Sequence, residues 1–260
     1  LSVSLDLTEI PMETGAQVSS GGRSVTIAAM PQPVTIGTPR TAGLIVDMQN
    51  DFGAKGGMFD LAGHDLTLVR KTIAPTARVL AALRRAGIRI VYLKMGYRPD
   101  LSDLGPPDSP NRLRHRAVGS AVRAPDGRES RILIRATWNT DILDELKPEP
   151  GDAVIYKTRY SGFHGTDLDS LLRQHQVKWL VVAGLSTSVC VESTIREAMF
   201  RDYSCVLLTD CAAEPVGHEF PRGNHEASLL VIQVRFGWTA GFVDILRALD
   251  QPDDQARGSA

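Results

Sequence analysis

Three residues whose side chains can do acyl-transfer chemistry lie at or just beyond the ends of apolar runs typical of buried strands. They are Asp47, Lys157 and Cys190. Together they could supply a nucleophilic thiol, a base that takes its proton and a balancing positive charge. Singly, each has a structural interpretation: Asp47 as a turn cap, Lys157 as a surface lysine and Cys190 as a core residue. The combination predicts a cysteine nucleophile.

The segment around Cys190 has the pattern of a strand, a tight turn and a helix. Trp179 to Ala183 is a continuous apolar run, small and polar residues follow from Gly184, and apolar residues recur at helical spacing from Val191 to Ala198. Cys190 would thus lie in a first helical turn, where unpaired N–H groups and the macrodipole favour negative charge. We therefore expect the pKa of its thiol to be lowered.

Alternating strands and helices predict the fold that brings these residues together. We expect an α/β protein, a three-layer α/β/α sandwich with a mainly parallel sheet of about six strands. The carboxyl ends of such strands meet at one edge of the sheet, where ligands bind. Strands are expected at 41–47, 88–93, 152–157, 179–183, 204–209 and about 230–234, with a short one at 131–134. Helices are expected at 66–86, 139–146, 166–175, 191–198, near 219–230 and at 240–249.

The rest of the chain is less regular. Residues 1–40 are rich in Ser, Thr, Gly and Pro and predict an irregular N-terminal arm or short strands lying over the domain. The domain itself is expected at 41–250, followed by a C-terminal tail at 251–260. Residues 96–127 contain five prolines and predict a long surface excursion, of a length that is usually functional or mobile. Pro75 should kink the helix at 66–86 or mark its start.

Composition excludes several classes of partner. A net charge of -1 gives no electrostatic footprint for nucleic acid or an anionic membrane, and no apolar run reaches spanning length. Three cysteines, an odd number, argue against a disulfide framework, so we expect a reducing, cytoplasmic location. Cys205 and Cys211 are interpreted as structural, and no glycine-rich nucleotide-binding motif is present.

No metal or other cofactor is predicted. The histidines show no close pairing with Asp or Cys at ligand spacing, and we interpret them as loop or surface residues. They are His64, His115, His164, His175, His218 and His225.

Three motifs carry a family resemblance: LIVDMQNDF at 44–52, KTRYSGFHGTDLDSLL at 157–172 and GLSTSVCVESTIREA at 184–198. From about Ala42 to Leu249 the chain resembles the isochorismatase-like cysteine hydrolase superfamily. It is most similar to the branch that includes ureidoacrylate amidohydrolase, biuret hydrolase and N-carbamoylsarcosine amidase. Each motif is moderately specific, and their order and spacing make the resemblance strong.

The resemblance implies an Asp47–Lys157–Cys190 triad, a non-proline cis peptide at Leu185–Ser186 and an oxyanion hole formed by the backbone N–H groups of Ser186 and Cys190. It also implies hydrolysis of an amide through an acyl-enzyme with release of ammonia, and a homo-oligomer, dimer or tetramer. The segment LKMGYRPD at 93–100 lacks the Asp–x–His metal-binding stretch of nicotinamidases. A cysteine nucleophile argues against the vinyl-ether cleavage of true isochorismatases.

The substrate implied by the resemblance is a small ureido compound. Residues 96–104 resemble biuret hydrolase, whereas four other segments resemble ureidoacrylate amidohydrolase, at 105–111, 136–146, 159–163 and 236–238. Both substrates carry a terminal carbamoyl group. Two alternatives stay open: a hydrolase of another small carboxamide of the maleamate type, and a non-catalytic scaffold that retains the fold. The candidate substrate-binding residues are Phe52, Tyr97, Arg98, Tyr160 and Gln233.

Overall fold

The computed structural model of the protein describes residues 22–216 and 223–251. The strands are β1 Ser24–Ile27, β2 Val34–Gly37, β3 Thr41–Val46, β4 Arg89–Met95, β5 Ala121–Arg123, β6 Glu129–Arg131, β7 Ala153–Lys157, β8 Trp179–Leu185, β9 Ser204–Ala213 and β10 Trp238–Ala240. The helices are α1 Asn50–Gly53, α2 Met58–Leu61, α3 Thr67–Arg85, α4 Pro110–Arg114, α5 Leu168–Gln174, α6 Glu192–Met199, α7 Asn224–Val231 and α8 Phe242–Asp250.

The centre of the fold is a parallel sheet of six strands in the order β10-β9-β8-β3-β4-β7. Every residue of the central strand β3 is buried, as expected where helices cover both faces of a sheet. Side chains of α3 and α8 pack in one apolar core, and those of α5 and α6 pack in the other. The predicted three-layer architecture and its strand number are confirmed.

Gly184 allows β3 and β8 to approach closely where both strands end. It pairs with Val46 in the parallel register. Its φ is 141°, and a Cβ at this position would lie 2.1 Å from the carbonyl oxygen of Val46. Only glycine fits such a conformation and such a distance. The residues that follow the two strands, Asp47 and the turn with Cys190, are therefore held side by side.

The predicted strand at about 230–234 is wrong. This part of the chain is helical: α7 is followed by a π-helical turn at Ile232–Phe236, and β10 forms the edge strand. A short apolar run such as LLVIQV fits a strand and a buried helix equally well, so periodicity could not separate them. Of the helix predicted near 219–230, residues 219–222 lie outside the described residues.

Other predicted boundaries need smaller corrections. The helix expected at 139–146 is two 3₁₀ turns, Trp138–Thr140 and Asp144–Leu146, which the prolines that follow keep from extending. Pro75 lies inside α3 and does not mark its start. The strand expected at 131–134 overlaps β6 only at its first residue, and Ile134 forms an isolated bridge with Tyr97.

Within the predicted N-terminal arm, residues 22–40 contain a two-stranded antiparallel sheet of β1 and β2. Its inward side chains, Val25, Ile27, Val34 and Ile36, are buried in the same core as α3 and α8. The hairpin thus covers one end of the domain. Residues 1–21 and 252–260 lie outside the described residues, and the proposed boundaries at 40 and 250 stay predictions.

Candidate active site

The three predicted residues meet at the carboxyl edge of the sheet. Lys157 Nζ lies 2.8 Å from Asp47 Oδ2, and both side chains are shielded from solvent. Cys190 is 7% exposed, and its thiol lies close enough to both groups for each to shift its pKa. A buried charge pair of this kind persists only when each ion has a partner, because leaving one unpaired in the interior is costly.

Two strand ends fix the charged pair. Asp47 follows β3 directly with a φ of 53°, a left-handed conformation that aspartate tolerates, and its N–H donates to the Leu93 carbonyl at 2.9 Å. Lys157 is the last residue of β7 and pairs with Met95 of β4. Its ammonium donates to the Arg159 carbonyl at 3.3 Å and contacts Met95 Sδ at 3.6 Å. These contacts aim the lysine at the interior.

Cys190 lies in a π-helical turn, Thr187–Val191, between β8 and α6. The peptide bond before this turn, Leu185–Ser186, is cis, as the resemblance implies. The Cys190 carbonyl accepts a hydrogen bond from Thr194 Oγ1 at 2.6 Å, and the same hydroxyl accepts one from the Gly162 N–H at 3.0 Å. Thr194 therefore ties the cysteine turn to the loop that follows Lys157.

The predicted lowering of the thiol pKa is wrong for the protein without substrate. Burial raises the pKa of Cys190, the Lys157 ammonium opposes that effect and the Asp47 carboxylate adds to it. A helical turn could not outweigh the loss of hydration. Burial lowers the pKa of Lys157, but attraction to Asp47 and Cys190 dominates and the net shift is upward. The Cys190 thiol is therefore neutral and lies beside the Asp47–Lys157 ion pair.

Two of the predicted substrate-binding residues, Tyr97 and Tyr160, lie near the triad, whereas the contacts of Phe52 are with Phe59. Tyr97 is buried, its hydroxyl donates to the Thr158 carbonyl at 3.1 Å, and burial raises its pKa to about 12. Tyr160 is 39% exposed, and burial of its phenol raises its pKa. Phe52 packs against Phe59 with ring centroids 4.9 Å apart.

The other two predicted residues lie elsewhere. Arg98 is exposed on the surface, and its backbone N–H donates to Asp103. The Gln233 amide oxygen accepts a hydrogen bond from Thr239 Oγ1 at 3.0 Å, beside the edge strand β10. Thr239 pairs with Leu207 in the middle of β9, whereas the triad lies beyond the strand ends.

His115 belongs to the same wall but was interpreted as a loop or surface residue. Its ring lies 5.9 Å from that of Tyr97 and 5.5 Å from that of Tyr160, and Nδ1 is 2.7 Å from the Asn111 carbonyl. Burial lowers its pKa, and the charges of Lys157 and Arg159 lower it further. Because a carbonyl oxygen only accepts, Nδ1 carries the proton and donates to Asn111, and in the neutral ring Nε2 is then an acceptor. No local sequence signal marks it, since its ring contacts come from distant segments.

The remaining cysteines are core residues. Cys205 and Cys211 are buried, and burial raises the pKa of each thiol to about 12. In residues 22–216 and 223–251, no group of three His, Cys, Asp or Glu side chains could hold a metal ion. Over the same residues, no helix is both long and apolar enough to cross a membrane.

A buried cysteine beside a buried Asp–Lys pair, at the carboxyl edge of a parallel sheet, is the arrangement of a cysteine hydrolase. Residues 41–241 match the Isochorismatase domain, and the chain belongs to this family. The recognition made from the three motifs is confirmed.

Named relatives narrow the comparison. The chain is 40% identical over 234 residues to a ureidoacrylate amidohydrolase RutB of Methylorubrum extorquens, covering 90% of this chain and 92% of that protein. It is 37% identical to the protein of the same name from Agrobacterium fabrum, covering 87% and 97%. A cysteine hydrolase from Pseudomonas syringae pv. phaseolicola has a TM-score of 0.70 at 29% identity, covering 83% and 94%. An N-carbamoylsarcosine amidase from Thermoplasma acidophilum has a TM-score of 0.57 at 26% identity, covering 78% and 96%.

Proposed function

We propose that the protein is a cysteine-dependent amidohydrolase that cleaves the terminal C–N bond of a small ureido compound and releases ammonia. Ureidoacrylate is the first candidate substrate. The observation that carries the proposal is the contact of the Cys190 thiol with the buried Asp47–Lys157 pair. The names of the relatives at about 40% identity support the choice of reaction and substrate.

The first half of the reaction forms an acyl-enzyme. Asp47 accepts the Cys190 thiol proton as sulfur attacks the carbamoyl carbon, which avoids a free thiolate in a site where burial raises the thiol pKa. Lys157 stays protonated and balances the negative charge on sulfur. The backbone N–H groups of Ser186 and Cys190 are the proposed donors to the oxyanion, each contributing roughly 10²–10³-fold in rate.

The second half restores the thiol. Protonated Asp47 gives its proton to the departing nitrogen, so that the C–N bond breaks and ammonia leaves. Water then attacks the thioester, with Asp47 acting again as the base. Sulfur leaves the tetrahedral carbon with the proton returned by Asp47. No redox partner or cofactor enters these steps.

Charge around the triad favours a substrate with a carboxylate. Arg114 lies close enough to Tyr160, and Arg159 to Tyr97 and His115, to shift their pKa values. Among residues 22–216 and 223–251, neither guanidinium forms an ion pair with an acid. Ureidoacrylate carries a carboxylate that these charges would attract, whereas biuret carries none. We therefore rank ureidoacrylate above biuret.

Ammonia release from a panel of ureidoacrylate, biuret, N-carbamoyl amino acids, maleamate and nicotinamide tests the proposal. Wild type should turn over the ureido acids, and Cys190→Ala should lose at least about 10⁴-fold in kcat. Cys205→Ala is the matched control, since it removes a buried thiol outside the site, and it should keep turnover per folded molecule. Turnover of plain carboxamides alone would favour the maleamate-type alternative, and no turnover would favour the scaffold.

We also propose a cytoplasmic homo-oligomer, a dimer or tetramer. Apolar side chains at the end of α6 and along α7 support an interface between copies: Phe200 is 70% exposed and Leu230 is 60% exposed. Free cysteines support a reducing compartment. Light scattering on the purified protein would find a mass above 28.2 kDa, and a monomer at micromolar concentration would contradict the assembly.

A further inference from the structure

A second buried carboxylate, Glu214, lies beside the cysteine turn on the side away from Lys157. It follows β9 and is 1% exposed. Its Oε2 accepts hydrogen bonds from the Ser188 N–H at 3.0 Å and the Ser188 hydroxyl at 2.6 Å. Its Oε1 accepts one from the Val216 N–H at 3.2 Å. Ser188 is two residues before Cys190, in the same π-helical turn.

The carboxylate is held by hydrogen bonds in place of a counter-charge. Within the described chain, no lysine, arginine or histidine forms an ion pair with it. A buried carboxylate needs well-made hydrogen bonds, and bonds to an ionised acceptor are about twice as strong as neutral ones. Of the three hydrogen bonds that Glu214 accepts from described residues, two come from Ser188, so Glu214 fixes both the backbone and the side chain of Ser188.

Further contacts lock the same turn from α7. Asn224 Nδ2 donates to Ser188 Oγ at 3.2 Å and to the Val216 carbonyl at 2.9 Å. His225 Nδ1 lies 2.9 Å from Thr187 Oγ1. On the opposite flank, Thr194 joins the Cys190 carbonyl to Gly162. The turn is therefore held from two sides, and among these contacts of the described residues Glu214 supplies the only carboxyl group.

We propose that Glu214 is a positioning residue, which acts through Ser188 to hold the Cys190 thiol against Asp47. It touches none of the reacting atoms, and the charges that shift the Cys190 pKa are those of Lys157 and Asp47. Because burial raises the thiol pKa, the thiol depends on Asp47 to take its proton. A turn that loosens by a fraction of an ångström separates the two groups and slows the attack.

The test combines steady-state kinetics with the rate of Cys190 alkylation, which needs no substrate. Only the kinetic measurement rests on the proposed function. Glu214→Ala should lower kcat per titrated active site by about 10²-fold and change KM by less than about threefold. Its rate of Cys190 alkylation by iodoacetamide at pH 7 should fall by about tenfold, because the displaced thiol loses its base. Glu214→Gln can still accept both Ser188 bonds and should recover to within about tenfold of wild-type kcat.

Glu192→Gln is the matched control. Glu192 also accepts a serine hydroxyl, that of Ser228, but it follows Cys190 and joins α6 to α7. The Glu192→Gln variant should leave kcat and the rate of Cys190 alkylation unchanged. If Glu214→Ala does not fold, Ser188→Ala decides, with an expected loss of about fivefold in both rates.

The proposal would be overturned if a folded Glu214→Ala variant kept wild-type kcat and alkylation rates. If Glu214→Ala does not fold, it would be overturned if Ser188→Ala and Glu214→Gln both kept wild-type rates. It would also be overturned if active-site titration showed that Glu214→Ala loses activity only because fewer of its molecules have a reactive site. If wild type releases no ammonia from any compound in the panel, the proposed function fails. The alkylation rates then still decide the role of Glu214.

Discussion

The triad and the wall that faces it are built in opposite ways. The triad residues follow strands of one parallel sheet, and the charged pair is completely buried. The wall contributes Tyr97, His115 and Tyr160 from irregular segments, and Tyr160 is partly exposed. In the proposed mechanism the sheet thus positions the reacting groups, whereas loops determine which small amide reaches them. This division is common where binding residues lie on loops over a rigid scaffold.

The largest effect should follow a change within the triad. Asp47→Asn tolerates the left-handed backbone but cannot take the thiol proton, so kcat should fall by about 10²–10⁴-fold. It also leaves the Lys157 ammonium buried without a counter-charge, at a cost of about 3–5 kcal/mol in the free energy of unfolding. Steady-state kinetics and urea unfolding measure the two losses. Wild-type turnover in the folded variant would show that the triad does not work as a unit.

Gly184→Ala changes the approach of β3 and β8, the strands that precede Asp47 and Cys190, without altering a reacting group. The added Cβ meets the Val46 carbonyl oxygen and forces a strained φ, so the cost should be about 4 kcal/mol, from about 1–3 kcal/mol for each effect. Gly63→Ala is the control, since its φ is also positive but no heavy atom lies within 4 Å. It should cost about 1–2 kcal/mol. Equal unfolding midpoints for the two variants would refute the close approach of β3 and β8.

Asp51 is a buried acid in α1, outside both regions. Its carboxylate accepts hydrogen bonds from the Leu133 and Met58 N–H groups and from the Asn139 amide, and burial raises its pKa from 3.8 to about 6. A raised folded-state pKa contributes stability that is fully present below about pH 4 and is lost as pH rises through about 6. Asp51→Asn removes this dependence. The unfolding free energy of wild type minus that of the variant should fall by about 2.4 kcal/mol between pH 4 and 7.

Urea unfolding at pH 4, 5, 6 and 7 measures this difference. Other carboxylates titrate in the same range, but their contributions cancel between wild type and variant. If the two stability curves run parallel, the Asp51 carboxyl is not buried in the way described.

The smallest effect should come from the wall. His115→Ala removes the neutral ring between Tyr97 and Tyr160, so KM should rise by about tenfold while kcat stays within about threefold. Alkylation of Cys190 by iodoacetamide should not change. His64→Ala is the control, because that ring packs on Phe59 away from the triad. A fall in kcat with KM unchanged would show that His115 acts in the chemical step and not in substrate binding.

The difference between residues at strand ends and residues on loops also explains how far the sequence could predict the site. Asp47, Lys157 and Cys190 follow local apolar runs, and the parallel topology brings strand ends together, so their meeting was predictable. Whether the run at 230–234 was a strand depended on packing that periodicity cannot show. Gln233 therefore lies in a π-helical turn and not in the expected strand.

Glu214 and His115 escaped sequence reasoning for a different reason. Both act through contacts across the fold, of Glu214 with Ser188 and of His115 with two tyrosines. Nothing in their neighbours along the chain distinguishes them from an ordinary surface acid or loop histidine. The predicted lowering of the Cys190 pKa was also wrong, because burial decides the direction of the shift. How deeply a residue is buried depends on the assembled core.

The buried Asp47–Lys157 pair also constrains how this protein can evolve. Replacing either partner alone leaves an orphan charge in the interior, whereas replacing both with apolar residues of similar volume is often neutral. The two positions are therefore epistatic, and a descendant that abandoned this chemistry would need to exchange them nearly together. A lineage with one substituted and the other intact would carry an unstable intermediate, so the pair should be inherited or lost as a unit.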